Sequence, residues 1–205
     1  DDSNWTWNVS WWSDPVLLGH YPEEGLVRYE KYLPRITEED MRLISEPIDV
    51  YGQNIYNGRA FRMGADGRPE ETDRVPGYAK TAVNWPVTPE CLYWGPKFLY
   101  ERYHKPIYIT ENGMACHDTV SLDGKVHDPN RSDFLARYLH ELKRAADEID
   151  LRGYFQWSLM DNFEWEKGYA ERFGIVYVDF ETQERILKDS AYWYRDVIRS
   201  NGSGI

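Results

Sequence analysis

Residues 106–113 read Pro-Ile-Tyr-Ile-Thr-Glu-Asn-Gly, a short apolar run that ends in a carboxylate, an amide and a glycine. The run is too short for a helix and is bounded by a proline and a glycine, so we predict a buried strand over 106–110. A polar loop follows, and residues 132–149 then carry apolar side chains at helical spacing. Residues 153–159 predict the next strand. This order of strand, loop, helix and strand is typical of parallel sheets.

The same order of elements continues on both sides. Upstream, residues 48–52 predict a buried strand, residues 57–86 a long polar loop and residues 89–104 a helix. Downstream, residues 174–180 predict a strand beside a hairpin turn, and residues 189–200 predict the last helix. The pattern indicates an α/β fold, either an open sheet or part of a (β/α)8 barrel. Three such units cannot close an eight-stranded barrel.

Two further helix features follow from local signals. The segment 23–46 predicts a helix in two pieces broken near Pro34, with acidic residues after Thr37 in the first turn of the second piece. Ser132 is a candidate N-cap for the helix over 132–149.

Length, charge and cysteine content exclude several classes of protein. The chain has 205 residues and no obvious linker, so we expect one domain, with 24 basic against 35 acidic residues and a net charge of −11. This charge disfavours binding to nucleic acid or to an anionic membrane, and no apolar run reaches the roughly 20 residues of a membrane span. The two cysteines and five histidines show no metal-binding spacing, so no metal or other cofactor is expected. The acidic N-terminus lacks the features of a signal peptide, and we expect a cytoplasmic protein.

The aromatic content is high for a polar chain. Trp, Tyr and Phe make up 16% of the residues, with 9 Trp and 16 Tyr, while the mean hydropathy is −0.71. Amphipathic rings suit a site that stacks on a flat polar ligand such as a sugar, although they also fill protein cores.

Polar and aromatic side chains collect at the carboxyl ends of the predicted strands. Asn54 and Tyr56 follow the first strand, Glu111 ends the second, and Trp157 lies in the third. Carboxylates and amides that converge with rings on one edge of a sheet match the chemistry of polyol recognition. We expect Asn112 and Asp161 to hold loops through hydrogen bonds from side chain to backbone.

Four stretches of the chain resemble glycoside hydrolase family 1, the β-glucosidases. They are ITENG (109–113), YFQWSLMDNFEWEKGYAERFGIVYVDF (154–180), PECLYWGPKFLYERY (89–103) and YPEEG…LPRITEEDMRLISEPIDVYGQNIY (21–56). The resemblance covers nearly the whole chain, with the motifs in the family's order. It implies a (β/α)8 barrel of which residues 1–205, as part of one domain, supply about strands six to eight.

The resemblance also implies a role for particular residues. Glu111 matches the family's catalytic nucleophile, and Tyr56 matches the tyrosine that bonds and orients it; Glu111 has to be ionised to attack an anomeric carbon. The other matched positions all bind substrate: Asn54 beside the nucleophile, Trp157 stacking under the glucosyl ring, Glu164 bridging two sugar hydroxyls, Trp165 and Phe173 in the sugar subsite, and Trp85 nearer the aglycone. A fixed anion at Glu164 would repel a sugar 6-phosphate, which disfavours the family's 6-phosphoglycosidases.

One part of the family's machinery is missing from these residues. The family's acid/base glutamate lies in an Asn-Glu-Pro motif, and the closest string here, Ser45-Glu46-Pro47, precedes the first predicted strand. The resemblance therefore implies a retaining hydrolase of β-glucosides or cello-oligosaccharides whose acid/base residue lies on an N-terminal segment or companion chain, and this chain alone should be inactive. The alternative is a non-catalytic, sugar-binding or self-associating half-barrel.

Overall fold

Residues 8–205, which the computed structural model describes, form six α-helices and seven β-strands. The helices are α1 (Val9–Leu17), α2 (Glu23–Tyr29), α3 (Glu38–Ile44), α4 (Cys91–Tyr103), α5 (Pro129–Ala146) and α6 (Asp189–Arg199). The strands are β1 (Tyr51–Asn54), β2 (Phe61–Met63), β3 (Pro69–Glu71), β4 (Ile107–Asn112), β5 (Leu151–Gln156), β6 (Val176–Val178) and β7 (Arg185–Leu187). Short 3₁₀ turns lie at Glu30–Tyr32 and Trp165–Lys167.

The main sheet has three parallel strands in the order β1–β4–β5. Ile107 of β4 lies opposite Tyr51 of β1 on one side and Leu151 of β5 on the other. α4 connects β1 to β4, and α5 connects β4 to β5, so the predicted alternation of parallel strands and helices is confirmed. Because the strands are parallel, their carboxyl ends meet at one edge of the sheet.

The hydrophobic core lies between one face of this sheet and the helices α4 and α5. Ile107 and Ile109 of β4 are completely buried there against Leu135 and Tyr138 of α5. The opposite face of the sheet is open, and Phe155 of β5 is 58% exposed. Parallel sheets are normally covered on both faces, so the open face is the surface that a further layer of protein would be expected to cover.

Several element boundaries differ from those predicted. β1 begins at Tyr51 rather than at residue 48, because the backbone N–H of Tyr51 donates to the carbonyl of Pro106 and joins the sheet there. α5 begins at Pro129, so the prediction of Ser132 as its N-cap is wrong. Proline suits the first helical position because it has no N–H to satisfy. β5 begins at residue 151 and ends at 156, two to three residues before the predicted strand.

Other local predictions are confirmed. The segment 23–46 forms two helical pieces, and Thr37 begins the second with a capping box, in which its side chain and that of Asp40 each accept a hydrogen bond from the other's backbone. The predicted strand beside a hairpin turn is β6, which pairs with β7 in an antiparallel hairpin. The loop over 57–86 contains a small exposed hairpin, β2–β3, that the sequence did not indicate. Among residues 8–205, no helix is long and apolar enough to cross a membrane.

Candidate active site

The residues expected to carry the chemistry do meet at the carboxyl edge of the sheet. Asn54 ends β1 and lies opposite Glu111 of β4 in the strand register. Trp157 directly follows β5, and its backbone N–H donates to the carbonyl of Asn112 at 2.8 Å. Gly113 allows this approach, since a Cβ atom at that position would lie 1.8 Å from the carbonyl oxygen of Trp157. The glycine after Glu111 and Asn112 is therefore required by the close approach of two loop segments.

Tyr56 and Glu111 form the central contact of the site. The hydroxyl Oη of Tyr56 donates to Oε2 of Glu111 at 2.8 Å. Burial raises the pKa of the Tyr56 hydroxyl well above its ordinary value, and the negative charges of Glu111 and Glu164 raise it further. Tyr56 is consequently a neutral hydrogen-bond donor at physiological pH, aimed at one oxygen of the carboxylate.

Three hydrogen bonds connect the ends of β1 and β4 beneath this pair. The N–H of Ile55 donates to the carbonyl of Glu111 at 3.0 Å, and the side-chain amide of Asn112 donates to the carbonyl of Ile55 at 2.8 Å. The hydroxyl of Thr110 donates to Asn54 Oδ1 at 2.6 Å. Asn112 is completely buried, which confirms the prediction that its side chain holds a loop.

Glu164 lies close enough to Glu111 for the two carboxylates to interact electrostatically. Partial burial raises the pKa of Glu164, and the charges of Glu111 and Glu171 raise it further, while a hydrogen bond from Trp157 opposes these effects. The structure thus brings together two carboxylates, one phenol and one indole, as the sequence predicted. A hydrogen-bond donor beside Glu164 would therefore stabilise the charged form of that carboxylate.

Two further expected residues pack against Tyr56. The rings of Trp85 and Phe173 lie 5.2 Å and 6.2 Å from the ring of Tyr56, and 6.1 Å from each other. Phe173 is only 3% exposed, so in this chain it supports the site from within, whereas Trp85 remains partly accessible. Trp165 does not pack against these rings. It is 83% exposed, and none of the ring contacts among residues 8–205 includes it.

A buried cluster of charges, which the sequence did not reveal, fixes the loops that carry these residues. Asp161, in the loop after β5, accepts hydrogen bonds from Lys188 at 2.8 Å and from Arg172 at 2.6 Å. It also accepts from the backbone N–H of Gly174 at 3.0 Å. The prediction that Asp161 holds a loop is confirmed, and the loop held is the one around Phe173.

The same cluster reaches the loop after β4 and the start of α5. Arg131, whose side chain is completely buried, donates to Asp118 at 2.7 Å and to the carbonyl of Arg172 at 2.8 Å, and also pairs with Asp128. Lys188 donates to Asp118 at 2.6 Å. Three acidic and three basic side chains therefore balance one another. Isolated charged residues at the ends of strands and helices are usually solvated, so nothing in the sequence pattern distinguishes these six.

The glutamate of the string closest to Asn-Glu-Pro does not lie at the carboxyl edge of the sheet. Glu46, in the string Ser45-Glu46-Pro47, is exposed and precedes the amino end of β1, whereas Glu111 lies at the carboxyl edge. Within residues 8–205 there is also no group of three or more His, Cys, Asp or Glu residues that could hold a metal ion.

Comparison with known proteins agrees with this arrangement. The model of the family described as glycosyl hydrolase family 1 matches residues 1–203. The chain belongs to glycosyl hydrolase family 1. Among family 1 proteins, beta-glucosidase A of Thermotoga maritima is 46% identical over 191 residues, which are 92% of this chain and 43% of that protein. Beta-glucosidase A of Acetivibrio thermocellus is 42% identical over 199 residues, covering 94% of this chain and 44% of the relative.

Solved structures of family 1 enzymes share the fold. The family 1 β-glucosidase from T. maritima superposes with a TM-score of 0.85 at 44% identity, covering 97% of this chain and 45% of that structure. The complex of the same enzyme with castanospermine gives the same values. These neighbours are TIM barrels, and the chain spans less than half of their length. Its three-stranded parallel sheet thus corresponds to a part of their barrel.

Proposed function

We propose that this chain supplies strands six to eight of a (β/α)8 barrel and the nucleophile, Glu111, of a retaining β-glucosidase. The observation that carries the proposal is the hydrogen bond of 2.8 Å from Tyr56 to Glu111 at the carboxyl edge of the sheet. Active sites of (β/α)8 enzymes lie at this edge. The membership in family 1 and the β-glucosidase relatives support the same reaction.

In this mechanism the ionised carboxylate of Glu111 attacks the anomeric carbon of a β-glucoside. The bond from that carbon to the aglycone oxygen breaks, and the general acid protonates the leaving oxygen. Water, deprotonated by the same residue, then attacks the glycosyl ester on Glu111, which releases glucose with its configuration retained and restores both carboxyl groups. Tyr56 holds the attacking carboxylate in position through both steps.

The acid/base glutamate lies, in this proposal, on the portion of the barrel outside this chain. Retaining enzymes place their two carboxyl groups about 5–5.5 Å apart. The open face of the sheet and its two edge strands, β1 and β5, offer the surface on which that portion would pack. "Complete enzyme" below means this chain together with the segment that supplies the rest of the barrel.

Glu164 and Trp157 provide the recognition of the sugar in the proposal. Glu164 would accept hydrogen bonds from two hydroxyls of a terminal β-D-glucosyl residue, and these donors would stabilise its charge beside Glu111. Trp157 would stack under the ring, with Asn54 binding beside the nucleophile. β-Glucosides and cello-oligosaccharides fit this site, whereas the Glu164 carboxylate would repel a 6-phosphate.

The remaining aromatic residues complete the pocket at different depths. Phe173 would form the wall behind the sugar, since it is almost completely buried, and Trp85 would lie nearer the aglycone, since it is partly exposed. Trp165 is 83% exposed, so its contribution to the sugar subsite would require the rest of the barrel or the substrate itself to cover it.

The test is the substitution Glu111→Gln in the complete enzyme, assayed with an aryl β-glucoside. It should reduce turnover by at least about a thousandfold, because the amide cannot form the glycosyl ester. Glu101→Gln, which changes an exposed carboxylate of α4, is the matched control and should leave turnover unchanged. Near-normal turnover by Glu111→Gln would show that the nucleophile is another residue.

A second candidate, a sugar-binding half-barrel without catalysis, is favoured by one observation. The two side chains that would bind the sugar, Glu164 and Trp157, both lie on this chain and form a hydrogen bond with each other. Titrating tryptophan fluorescence with castanospermine, alongside a turnover assay of the complete enzyme, separates the two candidates. Quenching that depends on Trp157, without any turnover, supports the binding function; turnover that depends on Glu111 supports the glucosidase.

A further inference from the structure

Tyr138 of α5 links the helix layer to the segment that carries Tyr56. Its side chain is completely buried, and its ring stacks on Phe134 with centroids 3.8 Å apart and an interplanar angle of 19°. The hydroxyl donates to the backbone carbonyl of Tyr56 at 3.1 Å and accepts from the backbone N–H of Thr88 at 2.8 Å. One buried hydroxyl thereby satisfies a backbone group near each end of the connection between β1 and α4.

Thr88 forms a second hydrogen bond to the segment that follows β1. Its hydroxyl accepts a hydrogen bond from the backbone N–H of Gly58 at 2.8 Å. The segment after β1 is therefore attached at residue 56 to α5 and at residue 58 to the turn before α4. On its far side the same segment reaches the site, where the hydroxyl of Tyr56 donates to Glu111 at 2.8 Å.

We propose that Tyr138 is a positioning residue for the nucleophile: its hydroxyl fixes the backbone of Tyr56, and so aims the Tyr56 hydroxyl at Glu111. This inference rests on the proposed role of Glu111 as nucleophile. The hydroxyl of Tyr138 contacts backbone groups of Tyr56 and Thr88 and does not touch the reacting carboxylate. It acts through Tyr56, at the end of a chain of hydrogen bonds that begins at the N–H of Thr88.

The substitution Tyr138→Phe isolates this role. It removes one oxygen atom and keeps the ring, which remains stacked on Phe134 inside the core. The carbonyl of Tyr56 and the N–H of Thr88 lose their shared partner, so the turn after β1 is free to relax. A small displacement of a catalytic contact reduces rate strongly even when the fold is intact.

The assay measures covalent labelling of the complete enzyme by 2-deoxy-2-fluoro-β-D-glucosyl fluoride. A carboxylate oxygen of Glu111 bonds to the anomeric carbon while the carbon–fluorine bond at that position breaks and fluoride leaves with the electron pair. Fluoride departs without protonation, so the rate reports the nucleophile and its orientation rather than the general acid. Tyr138→Phe should slow labelling by roughly tenfold.

Tyr93→Phe is the matched control. Tyr93 lies in the same hydrophobic cluster, but its hydroxyl donates to Glu148 at 2.7 Å, away from the site. Thermal unfolding of both variants measures any general loss of stability. Labelling by Tyr93→Phe should match the wild type even if both variants lose stability to the same extent.

A double-mutant cycle with Tyr56→Phe separates positioning from a merely structural effect. If Tyr138 acts through the Tyr56 hydroxyl, Tyr138→Phe should slow labelling by less than about twofold once that hydroxyl is gone. The full tenfold effect in the Tyr56→Phe background, or no effect in the wild-type background, would refute the positioning role. A wild-type enzyme that takes no label at all would instead refute the proposed function, and the positioning role with it.

Discussion

Replacing Lys188 with methionine tests whether the buried charges hold the loops of the site. The lysine side chain is completely buried, and its Nζ donates to Asp118 at 2.6 Å and to Asp161 at 2.8 Å. Methionine has a similar length but no charge. Lys188→Met therefore removes one positively charged partner from each of the buried carboxylates Asp118 and Asp161. The side-chain volume in the core changes little.

The size of the effect follows from the partners that remain. Removing one member of a buried ion pair costs about 3–5 kcal/mol, because the other charge is left in a poorly polarisable interior. Here Asp118 retains Arg131, and Asp161 retains Arg172 and the N–H of Gly174, so the loss should lie at the lower end. We expect Lys188→Met to reduce the free energy of unfolding by about 3 kcal/mol.

The same substitution should make the protein more sensitive to acid. Burial alone would raise the pKa of Asp118, but Arg131 and Lys188 outweigh it and hold this pKa below its usual value. A lowered pKa in the folded state contributes stability above the unfolded pKa, and this contribution is lost as the pH falls through the folded value. Without Lys188 the folded pKa of Asp118 rises, so acid unfolding should begin at a higher pH than in the wild type.

Urea unfolding of the complete enzyme measures the free energy, and a pH titration of the unfolded fraction measures the acid limit. Arg137→Met is the matched control, since Arg137 forms an exposed ion pair with Asp133 on α5. That pair is screened by solvent, so its loss should change the free energy of unfolding far less than the loss of Lys188. A loss in Lys188→Met no larger than in this control would refute the idea that the buried charges hold the loops.

Three further predictions test separate parts of the molecule. Glu164→Gln in the complete enzyme should weaken castanospermine binding by about ten- to a hundredfold, because hydrogen bonds to a charged group contribute about that much affinity. Calorimetry that shows an unchanged affinity would contradict the role of Glu164 in recognition. Hydrogen bonds to Asp189 and Asp123 raise the pKa of His127 above 6.5, so the stability that these bonds contribute is present below pH 6.5 and is lost as the pH rises through the pKa of the folded state. The free energy of urea unfolding of His127→Gln should therefore be lower than that of the wild type in mild acid and should equal it in mild alkali. A difference that does not change with pH would contradict this role of His127. The isolated chain, with one open sheet face, should sediment as a species larger than 24.3 kDa, whereas a monomer at high concentration would show that the open face needs no partner.

The parts of the fold that could be predicted are those where one periodicity dominates. β4 was predicted from the short apolar run that contains Ile107 and Ile109, and α5 from a continuous apolar face at helical spacing that includes Leu135. The carboxyl-edge position of Glu111 then followed from the parallel order of the strands. A local pattern was sufficient there because the burial of each element depends mostly on its own side chains.

The parts that could not be predicted depend on contacts between distant segments. The hairpin β2–β3 is exposed on every residue, so it has no apolar alternation to read. Lys188 and Asp118 are 70 positions apart, and in the fold each lies buried beside the opposite charge of the other. The proposed role of Tyr138 could not be predicted for a related reason. Its ring fits the apolar face of α5, and only the structure shows that its hydroxyl contacts the backbone of Tyr56 and Thr88.

Locating a covalently trapped sugar tests most directly whether Glu111 is the nucleophile. The complete enzyme, inactivated with 2-deoxy-2-fluoro-β-D-glucosyl fluoride, is digested and its peptides are analysed by mass spectrometry. We expect one 2-fluoroglucosyl group per protein, attached to Glu111 in the sequence Ile-Thr-Glu-Asn-Gly. A label on any other residue would contradict the assignment of Glu111 as the nucleophile.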